Sequence, residues 1–177
     1  MRRRKRDNNY KINLFMSFFT GLKTAYGSYD PKTGKYFVHK HPVTKSVIYH
    51  HLKGEQPYGF YLLTGTRTNV GVIDFDEPDF DKPQQLHQFA REWDFPVYIE
   101  RSKSKGHHVW MFFDEQGVEA EKVRILLTWM LSQIAEETIE VFPKQDEIDP
   151  SKEFGNFINA PLFGKLVPKS KTVFLNP

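Results

Sequence analysis

The sequence has no cysteine among its 177 residues. Disulfide bonds and thiolate-ligated zinc sites are therefore excluded. The sequence also has no uninterrupted apolar segment long enough to cross a bilayer, so we expect no membrane partner. A basic N-terminus followed by an apolar stretch imitates a signal peptide, but polar residues interrupt both parts, and we expect a cytoplasmic protein.

A strong charge of either sign is likewise absent. The net charge is +3, and the five basic residues at positions 2–6 exceed this total, so the rest of the chain is close to neutral. Any affinity for nucleic acid must then come from local patches. The run at 2–6 could be a phosphate-binding arm, although a solvated basic tail over residues 1–10 is the more ordinary interpretation.

The composition is that of a globular domain rich in aromatic residues, which make up 15% of the chain and include 16 phenylalanines. Apolar periodicity predicts helices over 11–24, 44–53, 82–93 and 118–137, and strands over 36–38, 58–63, 69–76, 97–100, 108–113 and 138–142. A short apolar segment follows at 154–158. After residue 70 the order is strand, helix, strand, strand, helix, strand. Two such β-α-β units in series predict an α+β fold whose antiparallel, ferredoxin-like sheet is covered by helices on one face.

Two aspartates end the most apolar strand of this pattern. Asp74 and Asp76 share one side of the strand, because side chains alternate along it. Two carboxylates on one face repel each other unless a cation lies between them, and hard divalent ions prefer such oxygen ligands. The alternative is that the pair caps the turn that follows at residues 77–79.

A polar loop precedes the next strand. Its hydroxyl, ammonium and imidazole groups suit a phosphate-bearing ligand, and a glycine lets the backbone approach that ligand. The groups are those of Ser102, Ser104, Lys103, Lys105, Gly106 and His108. An ordinary solvated hairpin loop has the same composition, so this alternative stays open.

A third acidic position lies near the C-terminus. Glu140 stands between two apolar residues on a predicted strand, where a carboxylate needs a partner or faces water at the strand end. Lys144 follows just past this strand and would lie on the rim of the same site. Together with the aspartates and the loop, these residues could meet at one edge of one sheet and perform phosphoryl or nucleotidyl transfer.

Three of these segments resemble the motifs of the archaeo-eukaryotic primase superfamily. Residues 73–76 resemble its first motif (hydrophobic-Asp-hydrophobic-Asp), residues 106–108 its second (small residue, any residue, His), and residues 139–140 its third (hydrophobic residue, acid). The closer similarity is to the primase-polymerases of TOTE conflict systems and of CRISPR-associated systems. It rests on stretches that run in the expected order, at 51–54, 59–63, 100–104, 108–113, 142–145 and 155–162.

This resemblance implies one catalytic domain over residues 1–177. An N-terminal α/β lobe (about 11–68) would pack on an RRM-like lobe (about 69–177), with the active site between them. The implied function is that of a primase and DNA polymerase, which makes and extends primers on a DNA or RNA template from nucleoside triphosphates. The implied partners are a fused or associated helicase, nuclease or CRISPR adaptation protein.

The resemblance also implies roles for individual residues. Asp74, Asp76 and Glu140 would bind two divalent ions, Mg²⁺ or Mn²⁺, and would form the catalytic centre with His108. The nucleotide would be bound by Ser102, Ser104, Lys105, Gly106, His108, Lys144 and Asn156.

Some features depart from the family pattern. The loop before His108 is one residue shorter than expected, and His107 stands where a small residue is usual. Relatives often carry a zinc-binding element, which needs cysteines that this chain lacks. We expect no zinc, because ordinary surface or core positions are the commoner explanation for His39, His41, His50 and His51.

Two other functions are compatible with the same residues. A two-metal nuclease uses the same acids and histidine for hydrolysis. An RRM-like domain without catalysis would only bind single-stranded nucleic acid by stacking bases on its aromatic side chains.

Overall fold

The protein is described by a computed structural model over residues 7–148 and 154–176. The basic run at 2–6 lies outside the described residues. The helices are α1 (Asn8–Phe18), α2 (Lys45–Lys53), α3 (Asp81–Glu92) and α4 (Ala120–Ser132). The strands are β1 (Tyr26–Tyr29), β2 (Tyr36–His39), β3 (Gly59–Tyr61), β4 (Leu63–Thr64), β5 (Arg67–Thr68), β6 (Val70–Phe75), β7 (Val97–Arg101), β8 (His107–Phe112), β9 (Val118–Glu119), β10 (Glu140–Phe142), β11 (Phe157–Asn159) and β12 (Val173–Phe174).

A five-stranded antiparallel sheet forms the C-terminal half of the fold, in the order β10-β6-β8-β7-β12. Helix α3 connects β6 to β7, and α4 follows β8 and precedes β10. Strands β6, β7, β8 and β10 therefore have the predicted ferredoxin-like connectivity. The α+β class is confirmed. Both helices pack on one face of this sheet through a core of apolar side chains: Ile73, Phe75, Leu86, Ala90, Val97, Ile99, Val109, Met111, Val123, Leu127, Met130 and Leu131.

A four-stranded sheet in the order β11-β3-β1-β2 contains the N-terminal strands. Its edge strand β11 comes from the C-terminal part of the chain and pairs with β3, so that Phe157 faces Tyr61 and Asn159 faces Gly59. The lobe boundary expected at 68/69 stays a prediction. The pairing shows that the N-terminal sheet also contains residues 157–159.

The second core cluster lies on the other face of the five-stranded sheet, because Val70 and Val72 alternate with Ile73 and Phe75 along β6. It joins this face to α1, α2 and the four-stranded sheet. Its buried members are Ile12, Phe15, Phe19, Tyr26, Ile48, Tyr58, Phe60, Leu62, Val70, Val72, Trp110, Phe142, Ile158 and Ala160. Asp74 lies two residues after Val72 on β6, so the two side chains share one face of the sheet. Asp74 therefore points toward the N-terminal sheet and away from α3 and α4.

Helix α2 begins and ends where its local sequence predicts. The Thr44 side chain accepts a hydrogen bond from the backbone N–H of Val47, which caps the first turn. Gly54 then ends the helix with φ of 85°, a left-handed conformation that glycine adopts without strain.

Helix α1 ends earlier than predicted. It ends at Phe18 instead of near residue 24, and it buries Ile12 and Phe15, whereas Leu14 and Phe18 are each 44% exposed. The helix therefore carries apolar residues on more than one face.

Several elements were missed or extended too far. Strand β1 was not predicted, because Gly27 and Ser28 are poor strand formers that tertiary pairing overrides. The prediction also lacked β12 and the ribbon β4-β5-β9. Helix α4 stops at Ser132, five residues before the predicted end, and Ala135 has a positive φ of 56°. None of the helices in the described ranges has the length and apolarity needed to cross a membrane.

Candidate active site

One row of side chains crosses the five-stranded sheet. Glu140 on β10 lies opposite Asp74 on β6, which lies opposite His108 on β8, which in turn lies opposite Glu100 on β7. Directly opposed residues share a face of the sheet. The predicted proximity of Glu140 and Asp74 is therefore confirmed, and it arises because β6 is the central strand between β10 and β8.

His108 is held between two carboxylates in this row. Its Nδ1 lies 2.8 Å from Oε2 of Glu100, and its Nε2 lies 3.4 Å from Oδ1 of Asp74. Burial by itself lowers the pKa of His108, but the charge of Glu100 and the hydrogen bonds and charge of Asp74 outweigh it and raise the pKa to about 10. His108 is thus a buried imidazolium at neutral pH.

Glu100 is the member of the row that the sequence analysis missed. Its carboxylate is 1% exposed, and Oε2 accepts a second hydrogen bond of 2.8 Å from Nε1 of Trp110. A signal for it was present, because Glu100 ends the apolar strand predicted over 97–100. Glu100 fixes the ring of His108 so that its Nε2 points toward Asp74.

Glu140 is paired with Lys144, four residues further along the chain. The Lys144 ammonium lies 2.8 Å from each carboxylate oxygen of Glu140 and 4.9 Å from the centre of the Phe142 ring. The predicted position of Lys144 beside Glu140 agrees with the structure. The pair is largely exposed, so its net contribution to stability is small.

Two cavities adjoin these acids. The first, of about 500 Å³, lies between the two sheets and is lined by Tyr36, Val38, Tyr61, Asp74, His108, Glu140, Phe142, Lys144, Gly155, Asn156, Phe157, Ile158 and Asn159. The second, of about 630 Å³, is lined by Asp74, Phe75, Asp76, Glu77, Pro78, Asp79, Lys82, Glu136, Thr138, Ile139 and Glu140. Asp74 and Glu140 line both cavities, so they stand on the ridge between them. We call the first cavity the inter-sheet cleft.

The donor set at this ridge fits a hard divalent cation. Asp74 and Glu140 face each other across neighbouring strands, and the exposed Asp76 follows directly after β6. No group of three histidine or acidic residues in the described ranges is arranged closely enough to form a ready-made metal site. Binding of a cation would require Lys144 to release Glu140, which is feasible for an exposed pair. The metal-binding roles of the three acids stay predictions.

The loop at 101–106, predicted to bind phosphate, packs against the end of β6. The N–H of the buried Ser102 donates to the carbonyl of Gly106 over 3.0 Å. A Cβ atom at Gly106 would overlap the carbonyl oxygen of Phe75. The glycine is therefore needed for contact between this loop and the end of β6.

The remaining loop residues are engaged with other parts of the chain. Lys105 pairs with Glu77 at 3.1 Å, and the carbonyls of Lys103 and Ser104 accept hydrogen bonds from Lys171. The walls of the two cavities, as far as the described residues form them, contain none of the four loop residues predicted to bind nucleotide, which are Ser102, Ser104, Lys105 and Gly106. Asn156 and Lys144, in contrast, line the inter-sheet cleft. All of these nucleotide-binding assignments stay predictions.

Three of the four histidines considered as zinc ligands have other partners within the chain. His51 is buried in the core, His50 pairs with Glu55, and Nε2 of His39 lies 2.7 Å from the Ser28 hydroxyl. A further groove of about 590 Å³ is lined mainly by apolar residues of α1, β7, β8 and β12, and it contains none of the predicted site residues.

Comparison with known proteins identifies a matching family and a solved structure of similar fold. Residues 32–177 match the family described as the archaeo-eukaryotic primase domain of the TOTE conflict system. No curated protein matches the chain. Among solved structures, the polymerase domain of ligase D from Mycobacterium tuberculosis in complex with DNA superimposes with a TM-score of 0.57 over 88% of this chain and 72% of that one, at 11% identity. At this identity, the similarity bears on the fold alone.

Proposed function

This chain belongs to the archaeo-eukaryotic primase domain family of TOTE conflict systems, and on that premise we propose that it is a primase-polymerase. Family membership supports a function in nucleotidyl transfer. We propose more specifically that the chain makes and extends primers on a DNA or RNA template from nucleoside triphosphates. The neighbour of the same fold was solved bound to DNA, which supports nucleic acid as the partner.

The observation that carries this proposal is the row Glu140–Asp74–His108 on one face of the five-stranded sheet. It combines two carboxylates and a cation at the edge of a cleft large enough for a nucleotide. Carboxylates at this position suit a metal-dependent phosphoryl reaction, because both line the two cavities that a ligand could enter. The row thus supports a polymerase site over a purely structural ion-pair network.

In the proposed reaction, the 3′-hydroxyl of a primer or first nucleotide attacks the α-phosphorus of a nucleoside triphosphate. A bond forms between the 3′-oxygen and phosphorus, the bond to the β-phosphate oxygen breaks, and pyrophosphate leaves while the hydroxyl proton is released to solvent. Two divalent ions, Mg²⁺ or Mn²⁺, held by Asp74, Asp76 and Glu140, would polarise the phosphate and favour deprotonation of the hydroxyl.

The cations of the chain itself would bind the triphosphate. His108 carries a positive charge and directs Nε2 toward the Asp74 side of the cleft, where it could donate a hydrogen bond to a phosphate oxygen. The Lys144 ammonium, once released from Glu140, would contact the outgoing pyrophosphate from the same wall.

Primer extension tests this proposal. A labelled primer on a DNA template is incubated with Mn²⁺ or Mg²⁺ and nucleoside triphosphates, using the wild type, Asp74→Ala and the control Glu92→Gln. Glu92 is an exposed residue on α3 outside both cavities. We expect the wild type and the control to lengthen the primer, and Asp74→Ala to do so about 1000-fold more slowly, in the range seen when an essential electrostatic group is removed.

The same assay separates the alternatives. Shortening of the primer without added nucleotides would indicate a nuclease. Binding of single strands that survives EDTA and is unchanged in Asp74→Ala, with no product, would indicate a binding domain without catalysis. Normal synthesis by a folded Asp74→Ala variant would contradict the proposed active site.

A further inference from the structure

The groove of about 590 Å³ between α1 and the five-stranded sheet shares no described lining residue with the inter-sheet cleft. We call it the α1 groove. Its described lining is apolar or aromatic except for Lys11. Helix α1 precedes residues 32–177, which match the primase family, so part of this surface lies outside the family match.

The α1 groove is concave, with a buried floor and exposed rims. Phe15 on its floor is 4% exposed, whereas Leu14 and Phe18 on one rim are each 44% exposed and Tyr98 on the other rim is 52% exposed. Phe112 lies between the rims, with its ring centre 5.2 Å from that of Phe18 and 5.9 Å from that of Tyr98. Large apolar side chains grouped around one concave surface indicate an interaction site.

The apolar surface follows α1 along its length. Lys11, Phe15 and Phe18 succeed one another at helical spacing on the side that lines the groove. A second depression of about 330 Å³ continues toward the N-terminus of the helix and is lined by Asn8. Lys11 and Leu52 line both depressions, so the two are continuous. A surface of this shape suits a second helix packed along α1, whereas a compact small molecule would cover only part of it.

The N-terminal end of this surface is basic. Lys11 lines both depressions, Lys53 lines the second, and the described lining of the two contains no carboxylate. Lys53 pairs with Glu55 at 3.0 Å, but this pair is exposed and therefore weak. Five basic residues at positions 2–6 directly precede α1 in the sequence, and a helix N-terminus itself favours negative charge. Charge complementarity therefore favours an acidic partner at this end.

We propose that the α1 groove binds an amphipathic helix of a partner protein. The apolar face of this helix inserts between α1 and Tyr98, and its acidic residues lie near Lys11. A lipid bilayer fits less well, because a flat surface does not reach the buried ring of Phe15. The site lies outside the candidate active site, and the inference does not depend on the proposed function.

Peptide selection tests the proposal. A displayed library of random peptides is selected on the folded wild type and counter-selected on Phe18→Glu, and binding of the recovered peptides is measured by fluorescence anisotropy. We expect peptides with apolar residues at helical spacing and a net negative charge. Phe18→Glu should weaken their binding by about 30-fold or more, as for loss of a central apolar contact, and Lys11→Gln by about 5-fold.

Ile125→Glu is the matched control. Ile125 is also an apolar residue on a helix, it is 62% exposed, and it does not line the α1 groove. We expect this variant to bind the peptides like the wild type. Leu14→Glu is a second variant of the groove, and it provides the same test if urea denaturation shows that Phe18→Glu disturbs the fold.

Other outcomes overturn the inference. These are recovered peptides that lack helical spacing or negative charge, equal binding to both groove variants, and no peptide that depends on the groove. Dimerisation of the wild type that Phe18→Glu abolishes, measured by sedimentation equilibrium, would assign the groove to a second copy of the chain. Binding to phosphatidylserine vesicles that Phe18→Glu abolishes would assign it to a membrane.

The two proposals fail separately. The α1 groove and the inter-sheet cleft share no described lining residue, so a folded Phe18→Glu variant should extend primers like the wild type. Peptide binding without primer extension by the wild type would contradict the proposed function and leave the groove assignment intact. Primer extension without groove-dependent peptides would do the reverse.

Discussion

Two histidines buried in different regions of the molecule differ in charge, since one is a cation and the other is neutral at pH 7. His108, in the five-stranded sheet, lies between Glu100 and Asp74, and its pKa is raised to about 10. His51, on α2, accepts a hydrogen bond at Nδ1 from the Tyr58 N–H and donates from Nε2 to the carbonyl of Pro161. Burial lowers the pKa of His51 to about 4, because its backbone partners offer no compensating charge.

The comparison shows how each region uses a buried polar group. The environment of His51 fixes one neutral tautomer, which joins α2 to the segment around Pro161 and to the strand that follows Tyr58. The environment of His108 keeps a permanent cation beside the acids of the candidate active site. Burial alone therefore does not predict the charge of a histidine, and the neighbouring side chains decide it.

The largest expected effect concerns the partner of His108. Glu100→Gln keeps the size of the side chain and an acceptor for Trp110 but removes the charge that compensates the buried imidazolium. We expect the free energy of unfolding to fall by about 3 kcal/mol, as for other broken buried ion pairs, in urea denaturation at pH 7.

Glu55→Gln is the matched control for this change. Glu55 also pairs with a histidine and a lysine, but at an exposed site, so we expect a loss below about 1 kcal/mol. If Glu100→Gln and Glu55→Gln lowered the free energy of unfolding by the same amount, the buried environment of His108 would have no special effect on stability.

An effect of similar size concerns the loss of stability in acid that His51 causes. The pKa of His51 is lower in the folded protein than its ordinary value of 6.5, so its contribution to stability is complete above pH 6.5 and is lost as the pH falls toward 4. The loss reaches about 3 kcal/mol, since one pKa unit corresponds to about 1.4 kcal/mol.

Two measurements check this prediction. Urea denaturation between pH 7 and pH 4 should show the fall in stability, and NMR of the His51 ring should show a neutral Nε2–H tautomer that does not titrate above pH 5. Titration of this ring near 6.5 in the folded protein would contradict the neutral environment assigned to it.

The smallest effect concerns the hydroxyl of Tyr58, beside His51. It donates a hydrogen bond of 3.1 Å to the carbonyl of Phe19. Tyr58→Phe leaves this buried carbonyl without its donor, and we expect a loss of about 1 kcal/mol in thermal or urea denaturation. Tyr98→Phe is the control, because Tyr98 is 52% exposed and its hydroxyl can bind water, so its loss should be close to zero.

Predictions from the sequence were best where a local pattern decides the structure. The strand at 69–76 was recognised from its apolar residues, and α2 was predicted over 44–53, because the periodicity of strands and helices acts within a few residues. The order of strands and helices after residue 70 then led to the correct sheet connectivity, since few topologies satisfy it.

Predictions failed where distant parts of the chain decide the structure. Strand β1 contains Gly27, a residue type that favours turns. The segment is nevertheless a strand, because β2 and β3 pair with it and the Phe157 ring covers Gly27. The glycine at 106 lies against the backbone of Phe75, a contact that no local pattern in the sequence indicates. The role of Glu100 depends on His108 and Trp110, which are 8 and 10 residues away along the chain.

The order of amino acids by itself determined which chemical groups the protein carries and on which strands they lie: the two aspartates at the end of β6, the glutamate of β10 and the histidine of β8. Only the tertiary structure decided that these groups form one row, that a glutamate of β7 completes it, and that aromatic rings face it across a cleft. The physical reason is that strand register and the contact between two sheets come from pairing and burial over long distances in the chain, whereas the residue pattern of each strand is local.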